Sequence, residues 1–221
     1  GIYTLDISFL IYLLYFVPQV IHNQFARKTK QLSLWLQVLW CVDYMLDLSY
    51  GLGRHMQWQY VTVDIVGLFL LFIQHLQIGR QIYLRGEKLK NYWLMSIFLI
   101  IVAILVFLVL FIGAYHHLNK IIDTNFINWG KVFINLGLFA QMIAFINFVP
   151  QIVKNFILKK AEALSIWFLL MAVLAIIFDE ISAVALHWDY PSIVGPPLQL
   201  LAKLVIVAQI ITYQKSGQKS G

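Results

Sequence analysis

Charge is scarce in this chain. Asp, Glu, Lys and Arg make up 12% of 221 residues, where a soluble domain carries roughly a quarter. Cysteine is scarcer still: Cys41 stands alone, which excludes an intramolecular disulfide and a thiolate metal cluster. The six histidines form no HxxxH or HxxE pattern, and His116 and His117 are expected in a loop, so no metal site is expected. A nucleotide-binding loop is missing, which excludes ATP-driven pumping by this chain alone. No GxGD-like turn is present, and an aspartyl protease needs two close carboxylates sharing a proton. An enzyme is therefore not expected, and neither is a cofactor. The first segment lacks a basic n-region and a small-residue cleavage site, so no cleavable signal peptide is expected.

What fills the chain instead is apolar. Hydrophobic residues make up 61% and aromatics 15%, and the mean hydropathy is +0.80. Trp93 to Tyr115 contains no charged side chain over 23 positions, and about 20 suffice to cross a bilayer. We read an all-α integral membrane protein with seven spans, near 5–22, 33–51, 60–80, 93–115, 131–153, 165–186 and 192–212. The fourth is the clearest; the seventh, broken by Pro196 and Pro197, is the least regular. Connections are short, so one compact membrane domain is expected.

The formal net charge is +6, but its distribution argues for topology and against nucleic acid. Arg27, Lys28, Lys30, Arg80, Arg85, Lys88, Lys90, Lys154, Lys159, Lys160, Lys215 and Lys219 fall in or beside loops 1–2, 3–4 and 5–6 or the tail. Only Arg54, Lys120 and Lys131 fall on the opposite side. Such a positive-inside bias puts the N-terminus outside or lumenal and the C-terminus in the cytoplasm. The membrane would be the plasma (inner) membrane in a bacterium, or of lysosome or vacuole type in a eukaryote.

The chain also repeats itself. FVPQVIHNQF at 16–25 returns as FVPQIVKNFI at 148–157, with Pro18 and Pro150 standing 132 positions apart. At that offset Gln19 falls on Gln151, Asn23 on Asn155, Leu32-Ser33 on Leu164-Ser165, Trp35 on Trp167, Asp47 on Asp179 and Gln77 on Gln209. The unit is three helices, written twice. Three crossings are odd, so directly joined copies would point opposite ways; the fourth span restores a common orientation. We therefore expect a first triple-helix repeat over 1–86, a linker helix with its loops over 87–127, and a second repeat with the tail over 128–221. Parallel repeats about an axis along the membrane normal are a transporter plan, with the solute held between the halves.

A Pro-Gln pair in the first helix, then Asn, a basic loop and a Ser opening the second helix, all duplicated in a 3+1+3 chain, resembles the PQ-loop family. That family includes lysosomal cystine and cationic amino-acid exporters and, more distantly, the SWEET sugar facilitators. The resemblance covers essentially the whole chain. It implies a transporter working by alternating access, with Pro18, Gln19, Pro150 and Gln151 as hinges. One departure concerns the acid that the amino-acid exporters often carry in the last helix: six residues before Gln209 stands Lys203, a base. The acid expected in span 6 is also missing, with Ala172 and Ala175 there.

The hinges also follow from chemistry. Pro18 leaves the carbonyl of Leu14 without its helical donor, and Pro150 does the same to Ile146. Inside a bilayer such a carbonyl needs another donor, and Gln19, Gln151 and Asn147 carry amides able to serve. Charges within spans are functional candidates because insertion costs roughly 3 kcal/mol each near the centre. Asp43 lies roughly 15 Å from the inner face at 1.5 Å of rise per residue, and Lys203 lies about as deep from the outer face. They could pair with each other or divide a solute, Lys203 meeting a carboxylate and Asp43 an ammonium or a proton. Asp47, Asp64, Asp179 and Glu180 sit nearer the outer mouth; Asp43 and Asp47, at i and i+4, share a helix face. Trp40 and Tyr44 are candidate lining residues, whereas Trp35, Trp167 and Tyr50 are read as interfacial. His75 is read as a packed histidine.

The leading expectation is a proton-coupled transporter of a cationic or zwitterionic amino acid, with the lipid bilayer, protons and a small solute as its partners. A SWEET-like sugar uniporter, and a non-transporting seven-span receptor on the same frame, stay open. So does a homo-oligomer.

Overall fold

The computed structural model describes residues 1–26, 33–119 and 128–218. Among them there are nine helices: α1 (Ile2–Tyr15), α2 (Val17–Ala26), α3 (Leu34–Gly53), α4 (Trp58–Leu84), α5 (Lys90–Asn119), α6 (Trp129–Ile146), α7 (Val149–Leu158), α8 (Ile166–Ala185) and α9 (Tyr190–Gln218). The seven spans are present, the first and fifth each divided in two, at Phe16 and at Asn147-Phe148. Six spans are long and apolar enough to cross a membrane by composition alone; α3 is not among them. It carries Gln37, Asp43 and Asp47, and only its place in the bundle explains them.

Two expectations are corrected. Pro196 and Pro197 do not interrupt the last span, since α9 runs through them. Both stand past its first turn, so the carbonyls of Ser192 and Ile193 lose their helical donors while the helix itself continues. His116 and His117 lie within α5 rather than in a loop. Of the charges that carry the positive-inside reading, Arg27, Lys28, Lys30, Lys120 and Lys219 lie outside the described residues, as does Leu32 of the repeat.

The bundle is two triple-helix units and a linker. In each unit the third helix packs against both others: α4 touches α1 and α3, and α9 touches α6 and α8. The units meet through α1 on α8 and α3 on α6, so each unit's first helix leans on the other unit's second. The linker α5 packs on α3 and is pinned to α4 by polar contacts. His75 Nε2 lies 2.8 Å from Ser96 Oγ, and its ring stacks on Tyr92 at 4.5 Å. Ser96, the one polar side chain inside the fourth span apart from its terminal tyrosine, therefore has a buried partner.

The repeated residues converge at one end of the bundle. Gln19 accepts the backbone N–H of Ser165 at 2.8 Å, while Gln151 accepts that of Ser33 at 2.9 Å. Ser33 and Ser165 are the N-caps of α3 and α8, and neither caps with its own side chain. The first turn of a helix has backbone donors with no helical acceptor, and here each unit supplies an acceptor to the other. The amide of Gln19 also donates to Asn23 Oδ1 at 2.8 Å and Ala163 O at 3.1 Å, and that of Gln151 donates to Asn155 Oδ1 at 2.7 Å. These amides thus do not repair the carbonyls that the prolines free, as their chemistry first suggests. They reach across the symmetry axis.

Gln77 and Gln209 repeat for a related reason. Gln209 donates to Ile152 O at 3.0 Å and accepts from Asn155 at 3.0 Å, tying α9 to α7. Gln77 donates to the matching Val20 O at a longer 3.4 Å. Its own acceptor oxygen and the matching Asn23 amide nitrogen are both buried without partners. At this pair of positions the first unit is the more loosely bonded copy, and there Gln81 Nε2 ties α4 to α2 instead, donating to Asn23 O at 2.9 Å.

Replacing Gln19 or Gln151 with Leu should lower thermal stability in detergent, each by about 1–2 kcal/mol, the scale of a lost helix cap. Gln209→Leu should cost more than Gln77→Leu, because Gln209 makes two short hydrogen bonds where Gln77 makes one long one. Equal losses from the last pair would contradict this account of the asymmetry.

Candidate functional site

An aromatic plug separates the capped end from the rest of the interior. Phe16 and Phe148, the first letters of the repeated motif, are both fully buried. Trp40 meets Phe148 edge-on at 5.3 Å and Phe16 at 5.7 Å, and Phe168 meets Trp40 and Phe16 at 5.5 Å each. Edge-to-face rings at these separations are favourable beyond their buried area. Tyr15 stacks on Phe168 at 5.2 Å and hydrogen-bonds Tyr44.

Above the plug, toward the end where α1 begins, lies a cavity of about 90 Å³ between the units, room for several water molecules. The sequence-derived candidates Asp43, Asp47, Asp179, Lys203, Asn147, Trp40 and Tyr44 all line it. The hinge candidates Pro18, Gln19, Pro150 and Gln151 do not; they belong to the capped end.

Asp43 and Lys203 share the cavity without forming an ion pair, since no nitrogen–oxygen approach within 4.0 Å joins them. Asp43 accepts from Asn147 Nδ2 at 3.4 Å. Lys203 donates to Gln199 Oε1 at 3.2 Å and lies 5.0 Å over the Phe148 ring, within the reach of a cation–π contact. Asp47 accepts from Gln141 Nε2 at 3.4 Å. Asp43, Asp47 and Asp179 are half-buried, whereas Asp64 is only 3% exposed and its Oδ2 has no hydrogen-bond partner. Among the described residues no three of His, Cys, Asp and Glu converge as metal ligands.

Several lining residues were not singled out from the sequence: Gln141, Gln199, Tyr12 and Tyr60; Asp64, noted there among the charges within spans, lines the cavity too. A signal for them exists in the repeat, as mismatch. At the 132 offset Gln141 stands opposite Phe9, Gln199 opposite Gly67, Lys203 opposite Leu71, Asn147 opposite Tyr15, Asp43 opposite Ala175 and Asp64 opposite Pro196. Tyr50 also differs from its reading as an interfacial residue. It is fully buried, its ring lies over Gly137, and its hydroxyl is 3.2 Å from Ser192 Oγ. Trp35 and Trp167 are exposed on the outside of the bundle, and His75 is packed.

At the same end as the cavity, Arg54 donates from Nε to Asp189 Oδ2 at 2.6 Å and from its terminal nitrogen to Oδ1 at 3.2 Å. This two-pronged pair joins the end of α3 to the turn between α8 and α9. It is the one contact of its geometry, a planar fork on a carboxylate, between the two units among the described residues.

Comparison with known proteins agrees with this architecture. No curated protein matches the chain. Among solved structures, a eukaryotic SWEET transporter, determined at 3.7 Å, superposes with a TM-score of 0.64. The match covers 96% of this chain and 97% of that one, at 11% sequence identity; it is a likeness of fold. The PQ loop repeat matches twice, at residues 7–60 and 132–192, spanning both Pro-Gln motifs, both capped helices and more than half of the chain. With its duplicated triple-helix unit and reciprocal Pro-Gln contacts, the chain belongs to the PQ-loop repeat family of membrane proteins.

Proposed function

We propose that the protein is a secondary-active transporter of a small polar solute, and that the solute is a zwitterionic or cationic amino acid. The observation that carries this reading is the separation of Asp43 and Lys203 across one cavity between the units. An amino-acid head group carries an ammonium and a carboxylate, and two opposite charges held apart in a low-dielectric site are its complement. With Asp47, Asp64 and Asp179 on the same walls, carboxylates outnumber the lysine, which favours a cationic solute or a co-transported proton. A sugar offers no charge to offset that many ionisable groups.

The unlike ends of the bundle support a reading of alternating access. The Pro-Gln end is shut by the reciprocal caps and the aromatic plug, while the cavity lies toward the other end. On the positive-inside reading, the closed end is cytoplasmic and the cavity belongs to the outside or lumenal side. Opening the closed end requires α2 and α7 to swing at Phe16 and at Asn147-Phe148, releasing Gln19 from Ser165 and Gln151 from Ser33. The proton would use Asp64, the one of the four carboxylates with neither a hydrogen-bond donor nor appreciable exposure. A carboxylic acid tolerates that position where an unpaired carboxylate is costly.

Purified protein in proteoliposomes should take up a radiolabelled amino acid from a panel that also contains glucose. Uptake should rise when the compartment facing the cavity is the more acidic, since the proton then enters with the solute down its gradient. Asp43→Asn and Lys203→Ala should abolish it. Glucose flux indifferent to pH would replace this reading with a sugar uniporter, and binding without flux would replace it with a receptor. Asp64→Asn should keep exchange of labelled for unlabelled solute while losing gradient-driven accumulation. If that variant still accumulates solute against its gradient, Asp64 is not the proton carrier.

A further inference from the structure

Lys203 is buried and Asp43 half-buried in one cavity, and opposite charges so placed should close on each other unless something restrains them. In this cavity a chain of hydrogen bonds holds the lysine. Lys203 Nζ donates to Gln199 Oε1 at 3.2 Å, Gln199 Nε2 donates to Gln141 Oε1 at 2.9 Å, and Gln141 Nε2 donates to Asp47 Oδ1 at 3.4 Å. The direction of this chain is forced by its ends. An ammonium can only donate and a carboxylate can only accept, so both amides between them must point their nitrogens toward Asp47. The chain crosses from α9 through α6 to α3.

We propose that Gln199 and Gln141 are positioning residues: they hold the Lys203 ammonium away from Asp43 and present it to the carboxylate of the solute. The inference rests on the transporter reading above and deepens it. Three further observations favour a device over incidental packing. Gly195, one turn before Gln199, leaves room for the Gln141 amide where any side chain would collide with it. Lys203 is only 7% exposed, so its position is not a matter of solvation. The other unit builds the same fold without the device, having Leu71, Gly67 and Phe9 at the positions of Lys203, Gln199 and Gln141. The fold itself does not require these polar groups.

The consequence is a specific discrimination. With the relay intact, Asp43 and Lys203 are both available, and the solute's carboxylate contributes to binding. With the relay broken, Lys203 can neutralise Asp43, and the carboxylate contributes little. The test compares Gln199→Leu and Gln141→Leu with the unaltered protein. Each is assayed with amino acids paired to their decarboxylated amines: arginine with agmatine, lysine with cadaverine, histidine with histamine. Uptake into proteoliposomes is read alongside the thermal shift that each compound produces in detergent, which reports binding without transport. The unaltered protein should prefer one amino acid over its amine by at least tenfold in KM. Both variants should raise the KM for that amino acid about tenfold, with the maximal rate much less affected, and bring the preference close to one. Gly195→Ala, which displaces the Gln141 amide without removing either glutamine, should shift the preference in the same direction.

A KM and a preference unchanged in both Leu variants would overturn the inference while leaving the transporter standing. A loss of maximal rate with the preference intact would also overturn it, since a merely structural role predicts that pattern. If the unaltered protein neither transports nor binds any amino acid of the panel, the transporter reading fails first and this inference fails with it.

Discussion

A glutamine that caps a helix belonging to the opposite half of the chain is the contact on which this architecture turns. Helices in a bilayer must satisfy their own polar groups, and the first turns of α3 and α8 cannot do so alone. Gln19 and Gln151 supply the missing acceptors, but only when the two units are brought together at the Pro-Gln end. Pairing of the halves is therefore written into helix capping rather than left to apolar contact, which is weakly directional and competes with lipid. The same contact sets the position of Phe16 and Phe148, three residues before each glutamine, and so sets the plug that floors the cavity.

Symmetry and its violations divide the polar residues into two groups. Residues that repeat at the 132 offset, such as Gln19 with Gln151, Asn23 with Asn155 and Gln77 with Gln209, tie helices to one another at the capped end. Residues that break the repeat, such as Asp43, Asn147, Gln199 and Lys203, collect in the cavity. The physical reason is that a pseudo-twofold bundle can be closed by symmetric contacts, whereas a small solute with distinct charged groups is asymmetric and needs an asymmetric site. Asp47 and Asp179 are the exception, a repeated pair that nevertheless lines the cavity. Both copies line the one cavity between the units.

The two ends of the molecule are held by different kinds of interaction. At the Pro-Gln end, short hydrogen bonds to backbone groups and a cluster of packed rings exclude water. At the other end, the Arg54–Asp189 pair joins the units beside an opening, with both side chains partly exposed, where ionic contacts are weakened by solvent and salt. The first set is directional and dry; the second is wetter and more readily exchanged. A bundle so arranged has a firmer closure at one end than at the other.

The number of spans, the duplication, the two proline positions and the presence of charge at membrane depth were all legible in the sequence, because each depends on local composition or on spacing along the chain. So was the common lining by Asp43 and Asp47, since four residues along a helix return to one face. Other features depended on partners more than a hundred positions away. The sequence could not say that Gln19 would meet Ser165 instead of the carbonyl freed by Pro18, nor that Pro196 and Pro197 would ride inside a continuous helix. Nor could it say whether Asp43 and Lys203 would pair, because depth along two helices does not determine the gap between them. That gap depends on how close α6 and α9 can pack at Gly195 and on the amides that fill the space beside it. Periodicity along the chain determined which elements form; tertiary packing decided which charges meet, since distances between helices follow from side-chain volumes on both surfaces.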